Sequence, residues 1–148
     1  MDIDTLLKHQ LSERYRAFVI CGAGLTGKTR CVKRLEEQYH GKYIDVMQTI
    51  YEDYDLRSHI NAVRPEQIFS LITVGNRDEK LVIADHLDIV FSLWTETQQR
   101  EFLRKLDMKS NGSCILAVLH NYKILENDGI FRNNSHGEKR IVNIAEIL

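Results

Sequence analysis

The feature that most restricts the fold of this chain is a glycine-rich segment that directly follows an uninterrupted apolar run. The run Ala17–Cys21 is typical of a strand buried on both faces of a parallel sheet. The next eight residues fit the pattern G-x-x-x-x-G-K-[ST] in full, and the stretch Lys28–Tyr39 after them has helical periodicity. A strand, a glycine-rich turn and a helix in this order predict a loop whose backbone N–H groups surround phosphate.

Each residue type in this loop has a chemical role. Glycine allows the backbone angles and the close approach of a polyanion, the Lys28 amino group reaches the β- and γ-phosphates, and the Thr29 hydroxyl ligates Mg²⁺. We therefore expect ATP and Mg²⁺ as ligands; the Asn-Lys-x-Asp motif of guanine-specific proteins does not occur, which favours adenine. Leu25 stands where a tighter variant, G-x-x-G-x-G-K-T, has its middle glycine. The predicted nucleotide-binding residues are Gly22, Ala23, Gly24, Leu25, Thr26, Gly27, Lys28, Thr29 and Arg30.

A second apolar run, Leu81–Asp85, ends in a carboxylate. In a protein with a phosphate loop this is the Walker B position, where Asp85 would bind Mg²⁺, usually through a water, beside Thr29. The alternative is an aspartate that only caps a turn. Many ATPases have glutamate at the next position, to polarise the attacking water. Here that residue is His86, so we expect slow hydrolysis, with His86 or Asp88 as the candidate substitutes.

Two further sets of polar residues are candidates for the catalytic machinery. Asn121, or His120 before it, follows the fourth predicted strand, where a polar side chain can sense the γ-phosphate. Arg132 precedes the last strand and could act in trans on a neighbouring subunit's nucleotide, with Arg140 as a second candidate. The alternatives are a turn-forming pair and surface arginines.

The order of elements predicts the fold class. The apolar patterns predict helices at residues 4–14 (with Asp4 as its cap), 28–39, 65–74 and 95–108, a partly helical segment at 49–60, strands at 17–21, 43–46, 81–85, 114–119 and 140–144, and an irregular stretch at 127–137. Alternating strands and helices form a parallel sheet covered on both faces. We predict a three-layer α/β fold of the P-loop NTPase type with a five-stranded parallel sheet, one domain over residues 1–148 and no separate lid domain.

Composition indicates the partners and the cellular location of the protein rather than its chemistry. The net charge is −1, so general attraction to nucleic acid is not indicated. The three cysteines (Cys21, Cys31 and Cys114) lie far apart in apolar segments, which predicts buried, reduced thiols. No apolar run approaches the length of a membrane span, and the acidic first residues do not resemble a signal peptide. We therefore expect a cytoplasmic protein without membrane contact.

The order of the predicted elements and the motifs between them also resemble those of a known protein family. A short helix leads directly into the phosphate strand, residues 85–91 read DHLDIVF, a hydrophobic strand ends in a polar residue, and residues 136–140 read HGEKR before the last strand. In these features the chain resembles the small P-loop ATPase subunits called BrxF, found in BREX phage-defence gene clusters. The resemblance covers most of the chain, and the phosphate loop is its most specific part. It implies an accessory ATPase of a bacterial defence assembly, with a protein partner or a homo-oligomeric state.

The residues leave three functions open. The first is a nucleotide-dependent switch or weak ATPase inside an assembly. The second is a small-molecule or nucleotide kinase, with the segment from Arg132 to Arg140 as a lid; Leu25 breaks the kinase-type glycine pattern, and only Arg57 and Arg64 could hold an acceptor. The third is an interaction module that binds nucleotide without turnover.

Overall fold

A computed structural model describes residues 2–127 and 129–147 of the chain. Met1, Leu148 and Asp128, which falls in the stretch predicted to be irregular, lie outside the described residues. The strands are β1 (Ala17–Cys21), β2 (Lys42–Asp45), β3 (Leu81–Asp85), β4 (Cys114–Leu119) and β5 (Ile141–Asn143). The helices are α1 (Ile3–Gln10), α2 (Lys28–Tyr39), α3 (Val46–Glu52), α4 (Tyr54–Ser58), α5 (Pro65–Thr73), α6 (Asp88–Phe91) and α7 (Glu96–Asp107). Short 3₁₀ turns cover Ile60–Ala62, Lys123–Glu126 and Ile144–Glu146.

The five strands form one sheet in the order β2-β3-β4-β1-β5, and every neighbouring pair is parallel. The predicted α/β fold with a five-stranded parallel sheet is therefore confirmed. After β1 the chain crosses to β2 at one edge, whereas after β4 it crosses to β5 at the other edge. Chain connections thus leave the neighbouring strands β1 and β4 in opposite directions. Ligands of open parallel sheets bind at such a switch point, at the carboxyl ends of the strands.

Alternate residues of the strands supply two separate cores, one on each face of the sheet. On one face, side chains of α1 and α2 pack on Phe18, Ile20 and Ile83. On the other face, α3, α5, α6 and α7 pack on a second set that includes Val19 and Ala84. The strands β1, β3 and β4 are buried at every position, as expected for strands covered from both sides. Among the residues that the structure describes, no helical unit lies apart from these three layers.

Several differences from the predicted boundaries occur where a side chain caps an element. The helix predicted at 4–14 spans Ile3–Gln10, and its cap is Asp2 rather than Asp4, because the Asp2 carboxylate accepts the Asp4 backbone N–H. Asp45 caps α3 in the same way and ends β2 one residue before the predicted boundary. Thr95 caps α7 through a reciprocal capping box with Gln98 and so precedes the helix.

The last strand is also shorter than predicted. The prediction of residues 140–144 included Arg140, whose side chain turns back to the start of β1, and Ile144, which begins a 3₁₀ turn capped by Asn143. All three cysteines are free and buried, as predicted. None of the helices that the structure describes is long and apolar enough to cross a membrane.

Candidate phosphate and metal site

The glycine-rich loop connects the end of β1 to the start of α2 at the switch point of the sheet. Two of its residues have a left-handed backbone, Gly27 with φ of 89° and Leu25 with φ of 59°. The first is free of strain because it has no Cβ, whereas the second is a position where glycine would be preferred. Gly22 lies against the 3₁₀ turn after β5: a Cβ atom there would be 2.5 Å from Ile144 Cγ2. The first glycine is thus required by packing.

Lys28 opens α2 and turns back over the loop. Its Nζ donates to the backbone carbonyl oxygen of Gly22 at 2.9 Å and to that of Ala23. The residue is 7% exposed. Burial lowers the pKa of the ammonium group, and the charges of Asp88 and Asp85 partly oppose that shift. The result is a cation held at the base of the loop, on the same edge of the sheet as two carboxylates.

Asp85 is the last residue of β3 and is only 2% exposed. Its Oδ2 accepts the hydroxyl of Thr29 at 2.9 Å and the phenol of Tyr43 at 2.6 Å. Its Oδ1 accepts the backbone N–H of His86 at 2.8 Å. The strand end therefore joins the predicted Walker B aspartate to the predicted magnesium ligand of the phosphate loop, although the two lie 56 residues apart in the sequence.

The charge of Asp85 has no lysine or arginine partner within ion-pair distance in the described part of the chain. Its one ion-pair contact is His86 Nε2, at 3.7 Å from Oδ2, and the same nitrogen lies 3.9 Å from Asp45 Oδ2. His86 has a left-handed backbone with φ of 58°, which turns the chain sharply after the strand. A buried carboxylate needs a cation or several donors, and here Asp85 has three donors: the hydroxyls of Thr29 and Tyr43 and the backbone N–H of His86.

Asp88 is the second carboxylate of the site and lies at the start of α6. Its Oδ1 accepts the backbone N–H of His120 at 2.9 Å and the phenol of Tyr122 at 2.7 Å. The His120 imidazole Nε2 is 3.4 Å from Oδ2. Burial and the hydrogen bond to Asp88 raise the pKa of Tyr122, so this phenol keeps its proton and acts as a donor. Asp88 and His120 form a carboxylate–histidine pair at the ends of β3 and β4.

These groups face one cleft with a volume of about 1050 Å³. Its lining combines the loop, the two carboxylates, both histidines and an apolar side from α1, β4 and the last turn. The lining residues are Ile3, Gly24, Leu25, Thr26, Gly27, Lys28, Thr29, Arg30, Cys31, Arg34, Asp85, His86, Asp88, Val118, His120 and Ile147. The volume lies at the upper end of the range for small-molecule sites.

The structure brings most of the predicted site residues together but places three candidates elsewhere. Asn121 does not line the cleft; its side chain accepts a hydrogen bond from Asn143 at 3.3 Å, and His120 occupies the cleft instead. Arg132 lies at the opposite, amino end of the sheet, where its Nε donates to Asp107 at 3.2 Å. Arg140 is buried beside the same aspartate. Neither arginine reaches the cleft of its own chain.

Sequence reasoning missed the tyrosines that hold the two carboxylates. Tyr43 and Tyr122 each donate to an aspartate more than 30 residues away. A signal for Tyr43 exists in the parallel register, because it pairs with Ile83, two residues before Asp85, and so shares a face of the sheet with it. Tyr122 lies in an irregular segment after β4, where no periodic pattern indicates a direction.

One other group of potential metal donors occurs among residues 2–127 and 129–147. His9, His136 and Glu138 bring their donor atoms within 4.8 Å of one another. The two imidazole rings are stacked, with centroids 3.7 Å apart and planes only 2° from parallel. An imidazole binds a metal in its own plane, and two stacked parallel planes have no point in common. In this arrangement the two imidazoles cannot both bind the same ion.

No protein-family model matches this sequence, and no curated protein is significantly similar to it. Function must therefore be argued from the residues of the cleft. The most informative of these are the lysine at the base of the loop and the hydrogen bond between Thr29 and Asp85.

Proposed function

We propose that this protein binds ATP together with Mg²⁺ in the cleft at the carboxyl ends of β1, β3 and β4. One observation carries the proposal: the Thr29 hydroxyl of the phosphate loop donates to the buried Asp85 at 2.9 Å. A hydroxyl and a carboxylate side by side, next to a loop that opens a helix, are the groups that hold Mg²⁺ against nucleotide phosphates.

Different groups of the loop would bind different parts of the Mg-ATP complex. The backbone N–H groups and the start of α2 attract the phosphates, since a helix N-terminus carries partial positive charge. Lys28 would move from the carbonyl oxygens of Gly22 and Ala23 to phosphate oxygens. The cation would lie between the phosphates and the Thr29–Asp85 pair, where it neutralises charge on both sides.

Slow hydrolysis follows from the groups available to activate water. The position after Asp85 is His86, whose imidazole faces Asp85 and Asp45 and does not supply the glutamate carboxylate that polarises the attacking water in many ATPases. Asp88 already accepts two hydrogen bonds on Oδ1, so that oxygen is not free to accept one from an attacking water. We propose a weak ATPase or nucleotide-dependent switch in which Asp88 and His120 contact the γ-phosphate region.

The setting of this activity is proposed from the resemblance to BrxF subunits, which implies a bacterial phage-defence assembly. A switch needs something to act upon, so we propose a protein partner or a homo-oligomer. Arg132 could take part in a homo-oligomer only by reaching the nucleotide of a neighbouring subunit. Its side chain is about half exposed, but it lies at the end of the sheet opposite the cleft of its own chain.

A non-hydrolysing interaction module is the second candidate, and the occupied Asp88 favours it. A kinase has less support. Arg57 donates to the carbonyl oxygen of Tyr51, and Arg64 pairs with Glu66 at 3.1 Å. Neither arginine lines the cleft, so the two do not form an acceptor site beside the loop.

The test is titration calorimetry of the purified protein with Mg-ATP, alongside Lys28→Ala and the control Lys139→Ala. Lys139 is exposed and lies outside the cleft. We expect wild type and the control to bind equally and Lys28→Ala to bind at least about tenfold more weakly, since it loses a charged contact to phosphate. Unchanged affinity in Lys28→Ala would refute the proposed site.

Phosphate release measured on the same samples separates the two candidate functions. Release over minutes, abolished in Lys28→Ala, supports a weak ATPase. Nucleotide that stays intact for hours supports the interaction module. If phosphate is transferred to an added acceptor and little free phosphate is released, the protein is a kinase.

A further inference from the structure

We infer that Tyr43 is a positioning residue that makes the metal site select Mg²⁺ over Ca²⁺. The inference rests on the proposed function, because it concerns the metal that accompanies the nucleotide. It assigns a role to a side chain outside the glycine-rich loop and outside the acidic strand.

The position of Tyr43 is fixed by the sheet. It pairs with Ile83 in the parallel register of β2 and β3, so its side chain and that of Asp85 emerge on the same face. The phenol reaches Asp85 Oδ2 at 2.6 Å. The Lys33 amino group of α2 lies 3.6 Å from the centre of the ring. The ring thus contacts a cation on one face.

The hydroxyl of Tyr43 can only donate in this environment. Its oxygen lies 2.6 Å from Asp85 Oδ2. An ionised carboxylate has no proton to donate, so the phenol is the donor and the carboxylate is the acceptor.

The donors around Asp85 leave it little capacity for direct contact with a metal. A carboxylate oxygen has two lone-pair sites. Oδ2 uses both, one for Tyr43 and one for the Thr29 hydroxyl. Oδ1 uses one for the backbone N–H of His86. Bidentate coordination by Asp85 is therefore excluded as long as Tyr43 donates.

This restriction discriminates between the two common divalent cations. Ca²⁺ takes six to eight direct oxygen ligands, and carboxylates often bind it through both oxygens. Mg²⁺ keeps several of its waters and accepts contact with a carboxylate through them. An aspartate already supplied with donors suits a hydrated Mg²⁺ and penalises Ca²⁺. Tyr43 supplies the third hydrogen bond to Asp85, beside those from Thr29 in the phosphate loop and from the backbone N–H of His86.

The experiment compares ATP affinity in Mg²⁺ with ATP affinity in Ca²⁺ for three proteins: wild type, Tyr43→Phe and Tyr39→Phe. Tyr39 is a matched control, because its phenol also donates to an aspartate, Asp4, at 3.2 Å, but lies outside the cleft lining. Calorimetry with each metal gives the ratio of the two affinities, and circular dichroism melting verifies that each variant is folded.

We expect Tyr43→Phe to lower the Mg²⁺-to-Ca²⁺ affinity ratio by about tenfold, the size of effect that a hydrogen bond to a charged group produces. Tyr39→Phe should leave the ratio unchanged. A merely structural role for Tyr43 would weaken binding with both metals alike, and an unchanged ratio in a folded Tyr43→Phe overturns the inference.

The outcomes also separate this inference from the proposed function. If wild type binds ATP in a Lys28-dependent way and Tyr43→Phe retains the wild-type ratio, only the role of Tyr43 is overturned. If wild type binds no nucleotide with either metal, both fail. A variant of Tyr43 that does not fold is replaced by Lys33→Gln, which loosens the ring but keeps the phenol; it should shift the ratio in the same direction by a smaller factor.

Discussion

The two ends of the central sheet each hold a buried aspartate, and their partners differ in kind. At the amino end, Asp107 is bound by the guanidinium groups of Arg140 and Arg132. At the carboxyl end, Asp85 is bound by two hydroxyls and a backbone N–H. Both aspartates are at most 9% exposed.

The charge of Asp107 is neutralised by arginine and stabilises the fold, whereas the charge of Asp85 has no arginine or lysine partner among the described residues. The Asp107–Arg140 pair is complete, because Arg140 also donates to the carbonyl oxygens of Ala17 and Asp107 and so ties β1 to the end of α7. Asp85 is oriented by its donors but not neutralised by them. Its negative charge remains to attract a cation from solution, which is what a metal site requires.

The largest expected effect comes from breaking the amino-end pair. Arg140→Met should lower the free energy of unfolding by about 3–5 kcal/mol, because it leaves the Asp107 carboxylate buried without its main partner. Arg132→Met, the control, should cost less than about 1 kcal/mol, since that guanidinium is about half exposed. Urea unfolding followed by circular dichroism measures both. Equal costs would contradict the distinction between the two arginines.

Replacing each aspartate by asparagine compares the two ends directly. Asp107→Asn should cost about 3 kcal/mol of unfolding free energy, because it leaves Arg140 without a counter-charge. Asp85→Asn should change stability without metal by only about 1 kcal/mol, since it loses hydrogen bonds but no ion pair with arginine. It should nevertheless weaken Mg-ATP binding at least about tenfold, or about 1.4 kcal/mol. If the two variants unfold at the same urea concentration, the contrast between the ends is wrong.

A smaller effect is expected at the tip of the phosphate loop, where the carboxyl end contains backbone strain. Leu25 is fully exposed and has φ of 59°. A left-handed residue with a side chain costs about 1–2 kcal/mol, and glycine loses about 0.5–1 kcal/mol in entropy on folding, so Leu25→Gly should stabilise by about 0.5–1 kcal/mol. The melting temperature should rise for Leu25→Gly but not for Leu25→Ala, which keeps the Cβ atom.

The smallest effect is a pH dependence at the amino end. Hydrogen bonds from Asn134 and His9 lower the pKa of Glu138 below its usual range. A depressed carboxyl pKa adds stability that is present above the unfolded-state pKa and disappears as the pH falls through the folded-state pKa. Wild type should therefore be slightly more stable than Glu138→Gln at pH 7, and the difference should begin to shrink near the unfolded-state pKa of about 4.3 and disappear only at lower pH, once Glu138 is protonated in the folded state. Melting curves across this range test it; a constant difference would contradict the account.

The sequence predicted the central elements well because local patterns specify them. The bounds of β1, β3, β4 and α2 agree with the structure. The predicted bounds of the two edge strands differ from the structure: β2 is displaced by one residue, and β5 was predicted too long. Both strands end where a polar side chain, Asp45 or Asn143, caps the turn that follows. The loop residues and Asp85 were likewise predictable, since a motif and an apolar run specify each of them.

The rest of the site depends on pairing between distant segments. Tyr43 and Asp85 are 42 residues apart, and Arg140 and Asp107 are 33 apart. No spacing rule indicates which aspartate an arginine will contact. The sequence therefore suggested Arg132 as a catalytic group, whereas in the structure its guanidinium contacts Asp107. His120 rather than Asn121 lines the cleft, because the backbone N–H of His120 donates to Asp88 and the side chain of Asn121 is bonded to Asn143.

The carbonyl oxygens of Gly22 and Ala23 that Lys28 contacts compete with any anion for its ammonium group. An incoming anion must replace those contacts before it gains anything from the lysine. A triphosphate brings more negative charge and more acceptor oxygens to that exchange than a single phosphate, so it can satisfy the lysine and the backbone amides together. The loop should therefore bind ATP in preference to inorganic phosphate, and a competition assay between the two measures that preference.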